Sequence, residues 1–196
     1  MTAITNRSVG RKAVTDHASI ERAAFRLFEE QGFDGTTMEH IAEAIGVGRR
    51  TLFRYFPSKN DIPWGQFDQS LRDFAARLAS VPPDVPVSEA VHRCVVAFND
   101  FDHRSLPQHR IRMRLILHTP ALQAHSALRY AAWRGVIADY VAARLATSPD
   151  ALLPRLAGHV SLALAVSSYE QWLREPDSDL AAILMSEMDA LRSYLH

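Results

Sequence analysis

The chain is poor in the residues that most restrict a fold or a chemistry. Cysteine occurs once, at Cys94, among 196 residues, which excludes an intrachain disulfide framework and any multi-cysteine zinc site. A lone thiol of this kind reads as a small core side chain in a reducing compartment. Long apolar runs are missing too. The longest, around 156–166, is broken by Gly158, His159 and Ser161 and falls short of a bilayer span. Residues 1–15 are polar, with Arg7, Arg11 and Lys12, and contain no apolar stretch of the secretory kind. The expectation is a cytoplasmic protein with no membrane partner. Neither charge sign is in excess: 22 Lys and Arg balance 22 Asp and Glu, so bulk charge argues for no particular partner. Catalytic signatures are also lacking. There is no HExxH, no glycine-rich phosphate loop after a strand and no GxSxG elbow. His103, His109, His118 and His125 do not fall at ligand spacing on one helical face, so no metal, no cofactor and no enzymatic activity are expected.

Sustained apolar and polar alternation is absent as well, whereas apolar residues recur at helical spacing nearly throughout. This predicts an all-α protein of about nine helices. Prolines and turn residues divide it into Asp16 to Gln31, Thr37 to Ile45, Arg49 to Phe56, Lys59 to Ala79, Ser88 to Arg104, Gln108 to Leu117, Pro120 to Leu145, Pro154 to Arg174 and Ser178 to Leu195. Three regions are expected: a basic tail over 1–15, a small helical domain over 16–60 with a helix-turn-helix at 37–57, and a larger helical domain over 61–196. The tail reads either as a solubilising segment or as a minor-groove arm.

The most informative stretch is 36–60, TTMEHIAEAIGVGRRTLFRYFPSKN. Thr36 and Glu39 stand at capping-box spacing and predict a helix start. Met38, Ile41, Ala42 and Ile45 give that helix one apolar face; Gly46 permits a tight turn, and Gly48 leads into a second short helix. There Leu52 and Phe56 face inward, while Arg49, Arg50, Thr51 and Arg54 lie at the start and outer side. Arginines at the first turns of a short second helix suit a major groove, because their donors match phosphates and guanine edges.

This stretch resembles the N-terminal signature of the TetR family of bacterial repressors, T-T-x-x-I-A-x-x-x-G-V-S-x-x-T-L-Y-x-Y-F-x-S-K. The resemblance implies that Thr37, Tyr55 and Lys59 contact phosphates and that Gly48, Arg49, Arg50, Thr51 and Arg54 belong to the recognition region. Gly48 replaces the usual capping serine and Phe53 the usual tyrosine. The resemblance also implies a homodimer on double-stranded operator DNA, released when a small effector enters the C-terminal domain; a ligand-independent helix-turn-helix regulator is the alternative.

In the helix expected over 154–174, Gly158, Ser161, Ala165 and Ser168 form a stripe of small residues that permits close helix approach. With Leu184 and Met188 from the last helix, this stripe is the expected dimer interface. Charge is distributed in blocks: residues 103–138 carry six arginines and no acid, between two flanks of net −4 each. Arg110, Arg114 and His118 stack on one helical side. They read either as partners of neighbouring carboxylates or as the site for an anionic ligand head whose apolar tail lies against Phe98, Trp133 and Tyr169. An anionic amphipath such as an acyl-CoA is the expected effector. Within the TetR family, FNDFD (98–102), HRIRMRLILHT (109–119) and the segment through Tyr130, Ala131 and Trp133 are similar to regulators associated with the mycofactocin system. Pro63 and Gly65, finally, predict a kink or loose winding near the start of the long fourth helix.

Overall fold

The computed structural model describes residues 16–195. Arg7, Arg11 and Lys12 lie outside them. The described residues form nine α-helices and no strand: α1 His17–Gly35, α2 Met38–Ala44, α3 Arg49–Tyr55, α4 Phe67–Ala79, α5 Val87–Phe98, α6 Leu106–His118, α7 Pro120–Leu145, α8 Leu152–Arg174 and α9 Leu180–Tyr194. A short 3-10 segment, Lys59–Trp64, is called here the connector. Two compact units divide after Ser58.

In the first unit, Asp16 caps α1 by accepting from the Ser19 amide at 2.7 Å. Its apolar face, including Ile20, Ala24 and Phe28, is buried together with Ile41 and Leu52. Gly32, at φ 76°, ends the regular part of the helix, directly after the expected last residue Gln31. The cap of α2 is shifted by one residue from the expected Thr36–Glu39 box. Thr37 is the cap and accepts from the His40 amide, and the His40 side chain accepts from the Thr37 amide in return. Thr36 is buried instead, its hydroxyl donating to the carbonyls of Leu27 and Gly32. That use in the core takes it out of competition for the helix start.

The second unit is a helical bundle in which α8 packs most extensively against α7, with α4, α5, α6 and α9 around them. The largest core residues include Phe74, Leu78, Trp133, Ile137, Trp172 and Leu184. Two expected helices are corrected. The stretch 59–79 is not one helix: the connector ends at Trp64, Gly65 adopts φ 55°, and α4 begins at Phe67. Pro63, which lacks an amide proton, and the left-handed glycine together interrupt the ladder. The helix expected to reach Arg104 stops at Phe98, because the Asn99 carboxamide turns into the core and donates to the Val95 carbonyl at 2.7 Å. No helix of the described residues is long and apolar enough to cross a membrane.

Candidate functional sites

Burial of Met38, Ile41 and Ala42 on α2 and of Leu52 on α3, with Phe56 just beyond it, leaves the opposite side of α3 facing solvent. Gly46, at φ 67°, makes the turn between them. Arg49, Arg50 and Arg54 are exposed, and Thr51 and Tyr55 are half-buried. Arg49 Nη1 lies 2.9 Å from the Glu39 carboxylate, which sets the start of α3 beside the first turn of α2, capped by the exposed Thr37. Both partners of that pair are well exposed, so it contributes little and opens easily. The Arg49 guanidinium also sits 5.3 Å from the Phe53 ring centre. Gly48 caps α3 without a side-chain bond. The Tyr55 ring packs edge-on against His17 at 5.0 Å. Lys59 belongs to the second unit, at the first position of the connector.

The second unit contains a cavity of about 300 Å³ that is partly open to solvent. The connector contributes Pro63 and Trp64; α4 contributes Phe67, Phe74 and Arg77; the end of α5 and the following loop add Phe98, Asn99 and Phe101; α6 adds His109, Arg112 and Met113; α7 adds Tyr130 and Trp133; α8 adds Leu162, Ala165 and Tyr169. Phe74 and Trp133 stack at 5.5 Å with planes 16° apart, and Phe98 packs against both.

One part of this wall is polar, and its hydrogen bonds have a fixed direction. The Asn99 amide nitrogen donates to the Val95 carbonyl, so its oxygen faces the Tyr169 hydroxyl, which donates to it at 2.7 Å. The Tyr169 oxygen then accepts from His109 Nε2 at 2.9 Å. The imidazole is therefore the Nε2–H tautomer. Burial, reinforced by the nearby Arg112 cation, pushes the His109 pKa down to about 3, and burial pushes the Tyr169 phenol well up. The group is neutral at physiological pH.

Three of the six expected ligand residues, Phe98, Trp133 and Tyr169, line this cavity, and three do not. Arg110 lies on the other side of α6: it stacks on the Trp172 ring at 3.9 Å and donates to the backbone carbonyls of Trp172, Glu175 and Pro176. It pins the end of α8 and does not line this cavity. Arg114 and His118 are exposed. The inward side of α6 carries His109, Met113 and Ile116. The cations that do reach the cavity are Arg77 and Arg112.

The small-residue stripe also has a different use from the one expected. Gly158, Ser161, Ala165 and Ser168 are buried within the protomer, as are Leu184 and Met188. A Cβ at position 158 would meet Arg134 of α7, Ala165 borders the cavity, and the Ser168 hydroxyl donates to Glu187 of α9 at 3.0 Å, so the stripe faces several neighbours inside the protomer. Exposed large apolar residues on these two helices are Leu152, Leu153 and Leu156 of α8 and Met185 and Tyr194 of α9, and α7 exposes Leu128 and Leu145 as well.

Comparison with known proteins agrees with both halves of this arrangement. Residues 20–62 match the family described as bacterial regulatory proteins, tetR family, and residues 85–196 match the MftR C-terminal domain. The chain belongs to the TetR family, with a C-terminal domain of the MftR type. This TetR-family chain is 39% identical over 183 residues, 93% of its length and 92% of the relative's, to a Mycobacterium tuberculosis protein assigned as the mycofactocin biosynthesis transcriptional regulator MftR. It is 32% identical to the HTH-type transcriptional regulator TcmR of Streptomyces glaucescens, over 89% of this chain and 81% of the relative. Among solved structures, FadR of Bacillus subtilis in complex with stearoyl-CoA matches with a TM-score of 0.62 at 20% identity, covering 92% of this chain and all of that one. FadR of Thermus thermophilus, a TetR-family repressor in complex with lauroyl-CoA, matches with a TM-score of 0.58 at 23% identity over 90% and 93%. The chain is thus a transcriptional regulator with a TetR-type DNA-binding domain.

Proposed function

We propose that this protein is a repressor that holds operator DNA as a homodimer through α2 and α3 and releases it when a small molecule enters the cavity of the second unit. The observation that carries the reading is the place of the connector. Trp64 forms part of the cavity wall, and five residues earlier the same segment begins at Lys59, the expected phosphate contact. A ligand that displaces Trp64 therefore acts on the segment that carries Lys59. The connector is also tied to α7, since Asp61 accepts from His125 at 3.1 Å and from Arg129 at 3.2 Å. The outward leucines of α8 and Met185 of α9 supply the apolar face for the second copy.

An acyl thioester is the first effector to test, carried over from the two FadR proteins, with its anionic head toward Arg77 and Arg112 in place of Arg110, Arg114 and His118. The similarity to the M. tuberculosis regulator puts mycofactocin biosynthesis genes first among candidate targets. Footprinting on the upstream region of the protein's own gene locates the operator. Calorimetric titration of lauroyl-CoA with and without that operator then tests release: by linkage, operator DNA must weaken ligand binding by the factor by which ligand weakens DNA binding. Equal affinities in the two titrations would show that this ligand is not the effector. Retention of the operator with every cavity-binding ligand would leave a ligand-independent regulator.

A further inference from the structure

The expected phosphate contact at Lys59 differs from the arginines of α3 in one respect: it is carried by the second unit, at the first position of the connector. Six residues of 3-10 helix with a proline inside form few backbone hydrogen bonds, and poorer ones than an α-helix does, so side chains must fix this segment. Its far half is anchored by burial, with Ile62 fully buried and Trp64 nearly so. The near half, which carries Lys59, is only half-buried.

A carboxylate ties that near half to α7. Asp61 Oδ1 accepts from His125 Nε2 at 3.1 Å and from Arg129 Nη2 at 3.2 Å, two donors one turn apart that converge on one oxygen. The three side chains are shielded: Asp61 is 14%, Arg129 26% and His125 27% exposed, unlike the open pair of Arg49 and Glu39. Arg129 is in turn held from α4, by Asp68 at 2.9 Å and by the face of the Phe67 ring. Ser58 and Asp61 stand at capping-box spacing, which accounts for an acid at this position. It does not account for two donors of α7 meeting on that acid. A carboxylate two residues from a phosphate-binding lysine also opposes DNA unless its charge is met, and Arg129 meets it.

We propose that His125 and Arg129 are positioning residues for the DNA contact of Lys59, acting through Asp61, so that α7 of the second unit sets part of the operator affinity. This rests on the reading of Lys59 as a phosphate contact. Neither residue touches DNA: they fix the first turn of the connector, and a lysine on a fixed turn has less conformational freedom to lose on binding.

A double-mutant cycle tests the route, using the full-length protein and a labelled duplex carrying the footprinted operator, with anisotropy titrations over a range of salt. Lys59→Ala should weaken binding about tenfold and lower the slope of log affinity against log salt by about one. Arg129→Gln and His125→Ala should each weaken binding by about threefold to tenfold. Adding either to Lys59→Ala should cost nothing further, because the contact through which they act is already gone. A bulk effect of charge or of stability would instead multiply with the loss from the lysine. Multiplying losses, or wild-type affinity in both single variants, overturn the proposal. Melting curves identify a variant that does not fold, and either of the two carries the cycle alone. His125→Gln, which keeps an N–H for Asp61, should recover part of the loss seen in His125→Ala; no recovery overturns the hydrogen bond as its cause. Wild-type affinity in Lys59→Ala removes the lysine from the DNA surface and this proposal with it, whereas a loss confined to Lys59→Ala leaves that contact standing and sinks the α7 pair alone.

Discussion

Gly158 of α8 lies against Arg134 of α7 so closely that a Cβ at position 158 would fall 2.8 Å from the Arg134 carbonyl oxygen. The obstacle is backbone, which cannot rotate aside as a side-chain tip does. Gly158→Ala should therefore force α7 and α8 apart and destabilise the second unit by about 1–3 kcal/mol, a fall of several degrees in the melting temperature. A melting curve indistinguishable from wild type would mean that the two helices do not pack at this spacing.

The same packing redirects the expectation for the dimer. Ala165→Glu would put a carboxylate inside the protomer, on the cavity wall, so a loss of association in that variant would not locate the interface. Leu156 and Met185 are 49% and 52% exposed, and their replacement by Glu leaves the core untouched. Sedimentation should show Leu156→Glu and Met185→Glu as folded monomers with operator binding lost. A dimer in both variants would place the interface elsewhere.

On α3, Arg50 and Arg54 are exposed. Arg50→Ala or Arg54→Ala should cost about 1–3 kcal/mol of operator affinity where the side chain reads a base, and should relax preference at one position. Tyr55→Phe and Lys59→Ala should weaken all sequences alike. Fluorescence anisotropy on operator and scrambled duplexes distinguishes the two classes; unchanged affinity in all four variants would remove α3 from the DNA surface.

His109 gives the protein an acid limb. Its folded pKa, about 3, lies below its ordinary value of 6.5, so the unfolded chain binds the proton more readily between those values. The contribution is fully present above pH 6.5 and is lost progressively as pH falls toward 3. His109→Gln, which can still donate an N–H toward Tyr169, should flatten melting temperature against pH in that window. A wild-type curve already flat there would show that the imidazole is not held neutral by burial.

The nine helices were legible because their apolar spacing and prolines are local signals, and α7, starting at Pro120 and ending at Leu145, was read to the residue. The end of α5 was not, since it depends on Asn99 meeting Val95 and Tyr169, which only the fold brings together. The α2–α3 surface was readable for the same local reason: glycine turn, core positions and arginines all fall within one short stretch. The cavity was harder. Both sides of α6 carry plausible residues: Arg110, Arg114 and His118 stand out by charge, whereas His109, Met113 and Ile116 are the buried ones, a difference that only the packing reveals. Likewise, a stripe of small residues marks a close contact without saying whether the neighbour belongs to the same chain.

The break at Gly65 has a mechanical meaning. A continuous helix from Lys59 to Ala79 would behave as one stiff beam, so any tilt at one end would appear at the other. Here the connector and α4 are two short rods, and the residue between them occupies a region of backbone space that glycine enters without strain. Torsion at Gly65 and Gln66 can change the angle between the rods while leaving the hydrogen bonds inside each intact. What holds the two rods together across that joint is side-chain contact rather than helix: Arg129 of α7 bonds Asp61 on the connector and Asp68 on α4, and Trp64 packs edge-on against Phe67, so a change of angle would have to work against those few contacts and not against a backbone ladder.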